Sequence, residues 1–146
     1  MGFFDFLKSS SSFSSDEAQA AQRALASASR SLDIDVAIAA HENWKIRLKA
    51  HLSGTSTEQF RPEVVCCDDQ CDLGKWIYRD GEQYLSKYAT FADLKATHRM
   101  FHYTASNIVS LQQSGNTNDA RTLLEGDFVK LSEKIRKRLN DMRALG

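Results

Sequence analysis

Apolar residues recur at alternating intervals of three and four along most of this sequence, the spacing that aligns side chains on one face of an α-helix. Three such stretches begin near Asp33, near Phe91 and after the polar turn at 115–118. The 146 residues include one proline, Pro62, and seven glycines, too few for the turns of a sandwich or barrel. The sequence therefore predicts an all-α protein, and short links between the amphipathic helices favour an antiparallel four-helix bundle.

The chain is expected to divide into three parts. Residues 1–14 join a short apolar head to a serine run, which predicts a flexible tail with docking to a partner as the alternative. Ser14 with Glu17 three residues later has the pattern of a capping box. The alanine-rich residues 15–32 are then an extra N-terminal helical segment, which either packs closely on a neighbour or extends away, and residues 33–146 form the bundle.

Charge and hydropathy exclude several functional classes. Basic and acidic residues both number 19, so there is no cationic excess to bind nucleic acid. No uncharged apolar run reaches the ~18 residues of a membrane helix, and the N-terminus lacks the pattern of a secretory signal. Three cysteines fit a disulfide framework poorly, so free thiols in a reducing compartment are expected.

All four histidines fall on or beside the apolar faces of predicted helices. His41 lies on the first face, while His98 and His102 lie four residues apart on the second. One such residue is more often an ordinary core histidine, but three in register are hard to explain by packing alone. Cys71 opens a short helix after the long connection 53–70, and a helix N-terminus is expected to lower the pKa of a thiol. Three imidazoles and one thiolate suit tetrahedral Zn²⁺, with no position left for a substrate water, and the predicted ligands are His41, Cys71, His98 and His102.

Other residues are expected to support this site. Trp44 and Trp76 are predicted to pack around the ligands and exclude water, and Gly74 to allow close approach to a neighbouring helix. His51 lies about 15 Å along the helix from His41 and is predicted to be structural. Carboxylates near the cysteine are either acceptors for a ligand imidazole or ordinary surface groups, and these are Asp68, Asp69 and Asp72.

Cys66 and Cys67 leave three interpretations open. They are resolving thiols for an oxidised Cys71, inert loop cysteines, or part of a cysteine cluster that binds zinc by itself. The cluster is disfavoured because the spacings differ from the usual zinc knuckles.

Three blocks of the sequence, taken together, resemble the chemoreceptor zinc-binding (CZB) family. They are His41-Glu42-Asn43-Trp44, Cys71-x-Leu73-Gly74-x-Trp76 and His98-x-x-x-His102, and the resemblance extends over about residues 33–144. It implies a bacterial, mostly cytoplasmic protein, folded as an antiparallel four-helix bundle, often a homodimer, with zinc held by three histidines and one cysteine. Such domains are usually attached to chemoreceptor signalling modules or diguanylate cyclases and adjust their output.

The resemblance also implies how such a protein responds. In members that sense oxidants, the zinc-bound cysteine is the reactive group, which corresponds to Cys71 here. The chain is expected to be a free-standing version that acts on a chemoreceptor or a diguanylate cyclase in trans.

A non-enzymatic sensor of zinc or oxidant is therefore the leading hypothesis. The first alternative is a small metal-dependent enzyme, with Glu42 or Asp72 as general base. The second is a scaffold in which zinc is purely structural and the N-terminal peptide carries out the function by binding a partner.

Overall fold

A computed structural model of the protein describes residues 14–143, which contain helices and no strands. The all-α prediction is confirmed. The elements of the described chain are α1 (Ser15–Ser29), α2 (Ile34–Leu52), α3 (Pro62–Val65), α4 (Asp72–Trp76), a π-helical turn (Ile77–Gly81), α5 (Glu82–Leu85), α6 (Ala89–Gln113), α7 (Thr117–Leu123), a second π-helical turn (Leu124–Phe128) and α8 (Val129–Arg143).

The long helices pack as a bundle around a continuous apolar core. The second π-helical turn joins α7 to α8 without a break, so that 117–143 act as one long helix beside α2 and α6. Asp93 on α6 accepts hydrogen bonds from Lys134 and Arg138, which ties the start of α6 to α8. Fully buried side chains from three of these helices fill the centre, among them Leu48, Leu94, Phe101, Ile108, Phe128 and Ile135.

The alanine-rich helix α1 packs closely against the rest of the protein. It begins with the predicted capping box, in which the Glu17 N–H donates to the Ser14 hydroxyl and the Ser14 N–H donates to Glu17. Ala21, Leu25 and Ala28 are completely buried against α5, α8 and the first π-helical turn. Small side chains therefore bring this helix close to its neighbours. The predicted N-terminal tail, apart from Ser14, lies outside the described residues.

The helix that follows Cys71 is longer than the short helix predicted from the sequence. The helix instead continues through the first π-helical turn into α5 and ends at Leu85. Gly81 lies inside this helical run. A Cβ at Gly81 would be 2.7 Å from a ring carbon of Phe91, so the glycine permits close packing against α6.

Within residues 14–143, no helix is long and apolar enough to cross a membrane.

Candidate metal centre

The structure brings the four predicted ligand residues together from three parts of the chain. His41 lies on α2, His98 and His102 lie one turn apart on α6, and Cys71 is the residue that caps the start of α4. One ligand atom from each residue lies within 4.8 Å of the other three. The histidines are at most 3% exposed, whereas Cys71 is half-buried.

Distances within this cluster match a tetrahedral zinc site. His98 Nε2 lies 3.1 Å from His41 Nε2 and 3.2 Å from His102 Nε2. Cys71 Sγ lies 3.3, 3.7 and 3.9 Å from the Nε2 atoms of His98, His102 and His41. Usual bond lengths to zinc give tetrahedral edges of about 3.3 Å between nitrogens and about 3.6 Å between sulfur and nitrogen. These five separations are therefore close to those that one Zn²⁺ requires.

Hydrogen bonds on the far side of two rings orient them for a metal. His41 Nδ1 lies 2.7 Å from the Ala37 carbonyl oxygen, and His102 Nδ1 lies 3.1 Å from that of Val65. Because a carbonyl only accepts, each Nδ1 carries the proton and donates it, which leaves a lone pair on Nε2.

These lone pairs converge on His98, whose ring has a single N–H when neutral. That proton can satisfy at most one of the two neighbouring Nε2 atoms, so at least one pair of nitrogens meets lone pair to lone pair. A cation at the centre removes this repulsion. The donor set therefore fits zinc on structural grounds alone.

Burial keeps the three imidazoles neutral, which is the form that binds a metal. It lowers the pKa of His41 to about 4 and that of His98 to about 2, and it also lowers the pKa of His102. The neighbouring rings add to the effect at His98, because the charge of one imidazolium disfavours another.

Cys71 differs from the expectation of a lowered thiol pKa. Its sulfur accepts the Gly74 N–H at 3.3 Å, as a helix cap does. Burial nevertheless raises the pKa of the Cys71 thiol, and the backbone N–H groups of Gly74 and Leu73 offset only part of that effect. The start of this helical run therefore does not by itself favour the thiolate, whereas a bound cation would.

Gly74 allows close approach to the preceding loop, not to a neighbouring helix as predicted. A Cβ at this position would lie 1.8 Å from the Asp68 carbonyl oxygen. The absence of a side chain therefore lets the loop that ends in Cys71 fold back over the start of α4.

The two tryptophans occupy different places. Trp44 is half-buried, with its ring centroid 6.2 Å from that of His102 and 5.8 Å from that of Phe60. Trp76 is 5% exposed and donates its indole N–H to the Ala28 carbonyl at 2.7 Å. Trp44 thus lies beside the cluster, while Trp76 joins α4 to α1.

His51 lies away from the cluster. It packs edge-on against Phe60 near the end of α2, with ring centroids 5.1 Å apart.

Cys66 and Cys67 lie just before Cys71 in the chain, at the end of α3. Their sulfurs lie 3.6 and 3.4 Å from the Glu63 carbonyl oxygen, to which both S–H groups donate. All three cysteines are free thiols.

Sequence reasoning missed the groups that orient the imidazoles. Asp68, a predicted acceptor, instead accepts the Tyr78 hydroxyl at 2.6 Å, and backbone carbonyls take the imidazole protons. The packing of Phe101 against two of the imidazoles was also missed. Its ring centroid lies 5.1 Å from that of His41 and 5.4 Å from that of His102.

Fold and site together define a helical-bundle protein with a buried three-histidine, one-cysteine zinc site. Residues 41–109, which contain all four clustered residues, match the sequence model of the family described as "Chemoreceptor zinc-binding domain" (CZB). This segment is similar to the CZB family, and the resemblance and the zinc cofactor predicted from the sequence are confirmed. Comparisons with curated proteins and with solved structures gave no significant match.

Proposed function

We propose that this protein is a non-enzymatic sensor that reports zinc or an oxidant such as hypochlorous acid to a signalling partner. His41, Cys71, His98 and His102 are the proposed zinc ligands, and Cys71 is the proposed reactive group. The observation that carries the proposal is the contrast in burial between the histidines, at most 3% exposed, and the half-buried cysteine. The sulfur is the ligand that a reagent in solution can reach.

The proposed response begins at this sulfur. Hypochlorous acid transfers oxygen to the Cys71 thiolate, so that a sulfur–oxygen bond forms and chloride leaves, which gives a sulfenic acid. Cys66 or Cys67 then attacks that sulfur, a disulfide forms and water leaves. Either product is a poor metal ligand, and losing a ligand weakens the link that the metal makes between α4 and the long helices.

A contiguous set of rings connects the site to the last helix. Phe101 contacts His41 and His102 on one side, and its ring centroid lies 4.6 Å from that of Phe128 on the other. Phe128 ends the second π-helical turn, and π-helical turns are frequent at functional sites. A change in the imidazoles can therefore move the junction between α7 and α8, which is our proposal for how the signal reaches the surface.

The positions of the candidate general bases favour a sensor over an enzyme. Glu42 is on the outside of α2, with its carboxylate half exposed and 3.7 Å from Arg136. Asp72 is exposed at the start of α4 and does not belong to the metal cluster. Neither carboxylate is placed to activate a water at the cluster.

The partner is proposed from the family alone. CZB domains act in chemoreceptor signalling. A cytoplasmic homodimer that acts on a chemoreceptor or a diguanylate cyclase in trans is the arrangement that we propose.

Native mass spectrometry with stoichiometric hypochlorous acid tests the function. We expect one zinc per chain before treatment, and its release in step with oxygen addition or disulfide formation at Cys71. A Cys66→Ser, Cys67→Ser double variant should release zinc but accumulate the sulfenic acid or more oxidised forms. Zinc that stays bound while Cys71 is fully oxidised would refute the sensor and leave the metal with a structural role.

A further inference from the structure

A surface pocket of about 550 Å³ opens directly onto the metal cluster, and its lining includes Cys71 and His102. These two residues belong to the predicted ligand set, so the pocket leads from solvent to the reactive sulfur. The other lining residues on which the argument depends are Trp44, Arg47, Phe60 and Val64.

The wall of this pocket combines apolar and aromatic side chains with charged ones. Trp44 and Phe60 lie side by side, and Val64 adds an aliphatic surface that is 52% exposed. Arg47 lies over the Trp44 ring, with its guanidinium carbon 4.1 Å from the ring centroid, and binds Glu58 at 2.7 Å. Most small-molecule sites combine such an apolar wall with a few fixed polar groups.

An inorganic oxidant of two or three atoms needs neither this volume nor this wall. A ligand that buries an apolar ring against Val64 and the exposed part of Trp44 gains from both, because removing apolar surface from water is favourable. Cys71 in the lining supplies a nucleophile, so the fitting ligand is one that carries an electrophilic carbon.

We propose that this pocket binds small α,β-unsaturated carbonyl compounds, quinones among them, and presents them to Cys71. The thiolate adds to the β-carbon, the π electrons move to the carbonyl oxygen, and the resulting enolate takes a proton from water. The sulfur becomes a thioether, which cannot act as an anionic zinc ligand. This inference rests on the proposed function in that Cys71 is the reactive ligand, and it adds an organic class of stimulus.

The test uses the zinc-loaded full chain with Cys66→Ser and Cys67→Ser, so that Cys71 is the single thiol. N-phenylmaleimide is the probe because it carries a flat apolar ring, and iodoacetamide is the small polar reference. Intact mass spectrometry gives the rate of adduct formation at increasing reagent concentration. A bound complex makes this rate saturate for N-phenylmaleimide, whereas simple collision gives a linear rise.

Two variants fill the pocket from exposed positions that are not metal ligands. Val64→Trp places a large ring at its mouth, and Gln59→Trp does so from the loop before α3. The matched control is Ile46→Trp, at a 67% exposed position of α2 that does not line the pocket. Zinc stoichiometry and melting temperature confirm that each variant is folded.

We expect Val64→Trp and Gln59→Trp to slow the N-phenylmaleimide reaction at least tenfold at low concentration, and to slow iodoacetamide much less. Ile46→Trp should react like the parent. A linear concentration dependence, or rates for both filled variants within twofold of the parent, would overturn the inference. Zinc release by hypochlorous acid in the same samples tests the proposed function separately, because that oxidant needs no binding pocket.

Discussion

Replacing Gly74 by alanine should separate the loop from α4 and disturb the metal site through Cys71. A Cβ at this position would lie 1.8 Å from the Asp68 carbonyl oxygen, whereas ordinary contacts begin at 3.4 Å. Backbone on one side or the other must therefore move by about 1.6 Å. The obstacle is a main-chain oxygen, so no side-chain rotation can relieve it.

The displacement acts on stability and on zinc binding together. Overpacking of this kind costs about 1–3 kcal/mol, which in a chain of this size lowers the melting temperature by roughly 3–10 °C. Cys71 lies between the two displaced residues, and a metal site tolerates ligand shifts of only about 0.2 Å. We expect the zinc dissociation constant to rise about 10- to 100-fold, as when groups that orient a ligand are removed.

Gly126 supplies the matched control. It lies in the second π-helical turn, and a Cβ there would meet no atom within 4 Å. Gly126→Ala should leave zinc binding unchanged and, if anything, raise stability by up to about 1 kcal/mol. The assays are thermal melts with zinc or with chelator, and competition for zinc against a fluorescent chelator. If Gly74→Ala binds zinc and melts like Gly126→Ala, our account of how the loop holds Cys71 is wrong.

Two further predictions concern the metal and α1. Chelation should lower the melting temperature of the native protein, because zinc at a thousandfold excess over its dissociation constant contributes about 4 kcal/mol. In Cys71→Ala most of that difference should vanish, while Cys66→Ala should keep it, as differential scanning fluorimetry with and without chelator would show. Trp76→Phe removes the donor to the Ala28 carbonyl and should cost about 1–3 kcal/mol in urea unfolding. Zinc stoichiometry should stay the same in Trp76→Phe, and a variant as stable as the native protein would contradict the stated role of this bond.

The four residues of the cluster could be predicted from the sequence because each carries its own signal. His98 and His102, four residues apart, must share a face of a helix, and His41 falls in the apolar register of another helix. In any helical bundle the apolar faces of the helices pack against one another, so histidines on those faces come close together. Cys71 was found from its place between a long loop and a short helix, which the structure shows as the residue capping α4.

The groups that orient the imidazoles carry no such signal. The acceptors are the carbonyls of Ala37 and Val65, and every residue has a carbonyl. Val65 reaches His102 only because α3 folds against α6, a long-range contact that no local pattern reveals. The same limit applies to Gly74. A side chain at this position would clash with the Asp68 main chain, whereas the sequence predicted close approach to a neighbouring helix.

The four proposed ligands differ in how rigidly the protein holds them. This difference affects how the site responds to an oxidant or to loss of zinc. Three imidazoles project from α2 and α6, helices of 19 and 25 residues, and are almost entirely buried. Cys71 caps the start of the shorter helical run 72–85, borders a pocket and is half-buried. Local opening is easiest where few apolar contacts are lost, so the Cys71 segment should open before the long helices do. We therefore expect hydrogen exchange in zinc-free protein to be fastest around α4 among the elements that contribute ligands, with α2 and α6 still protected.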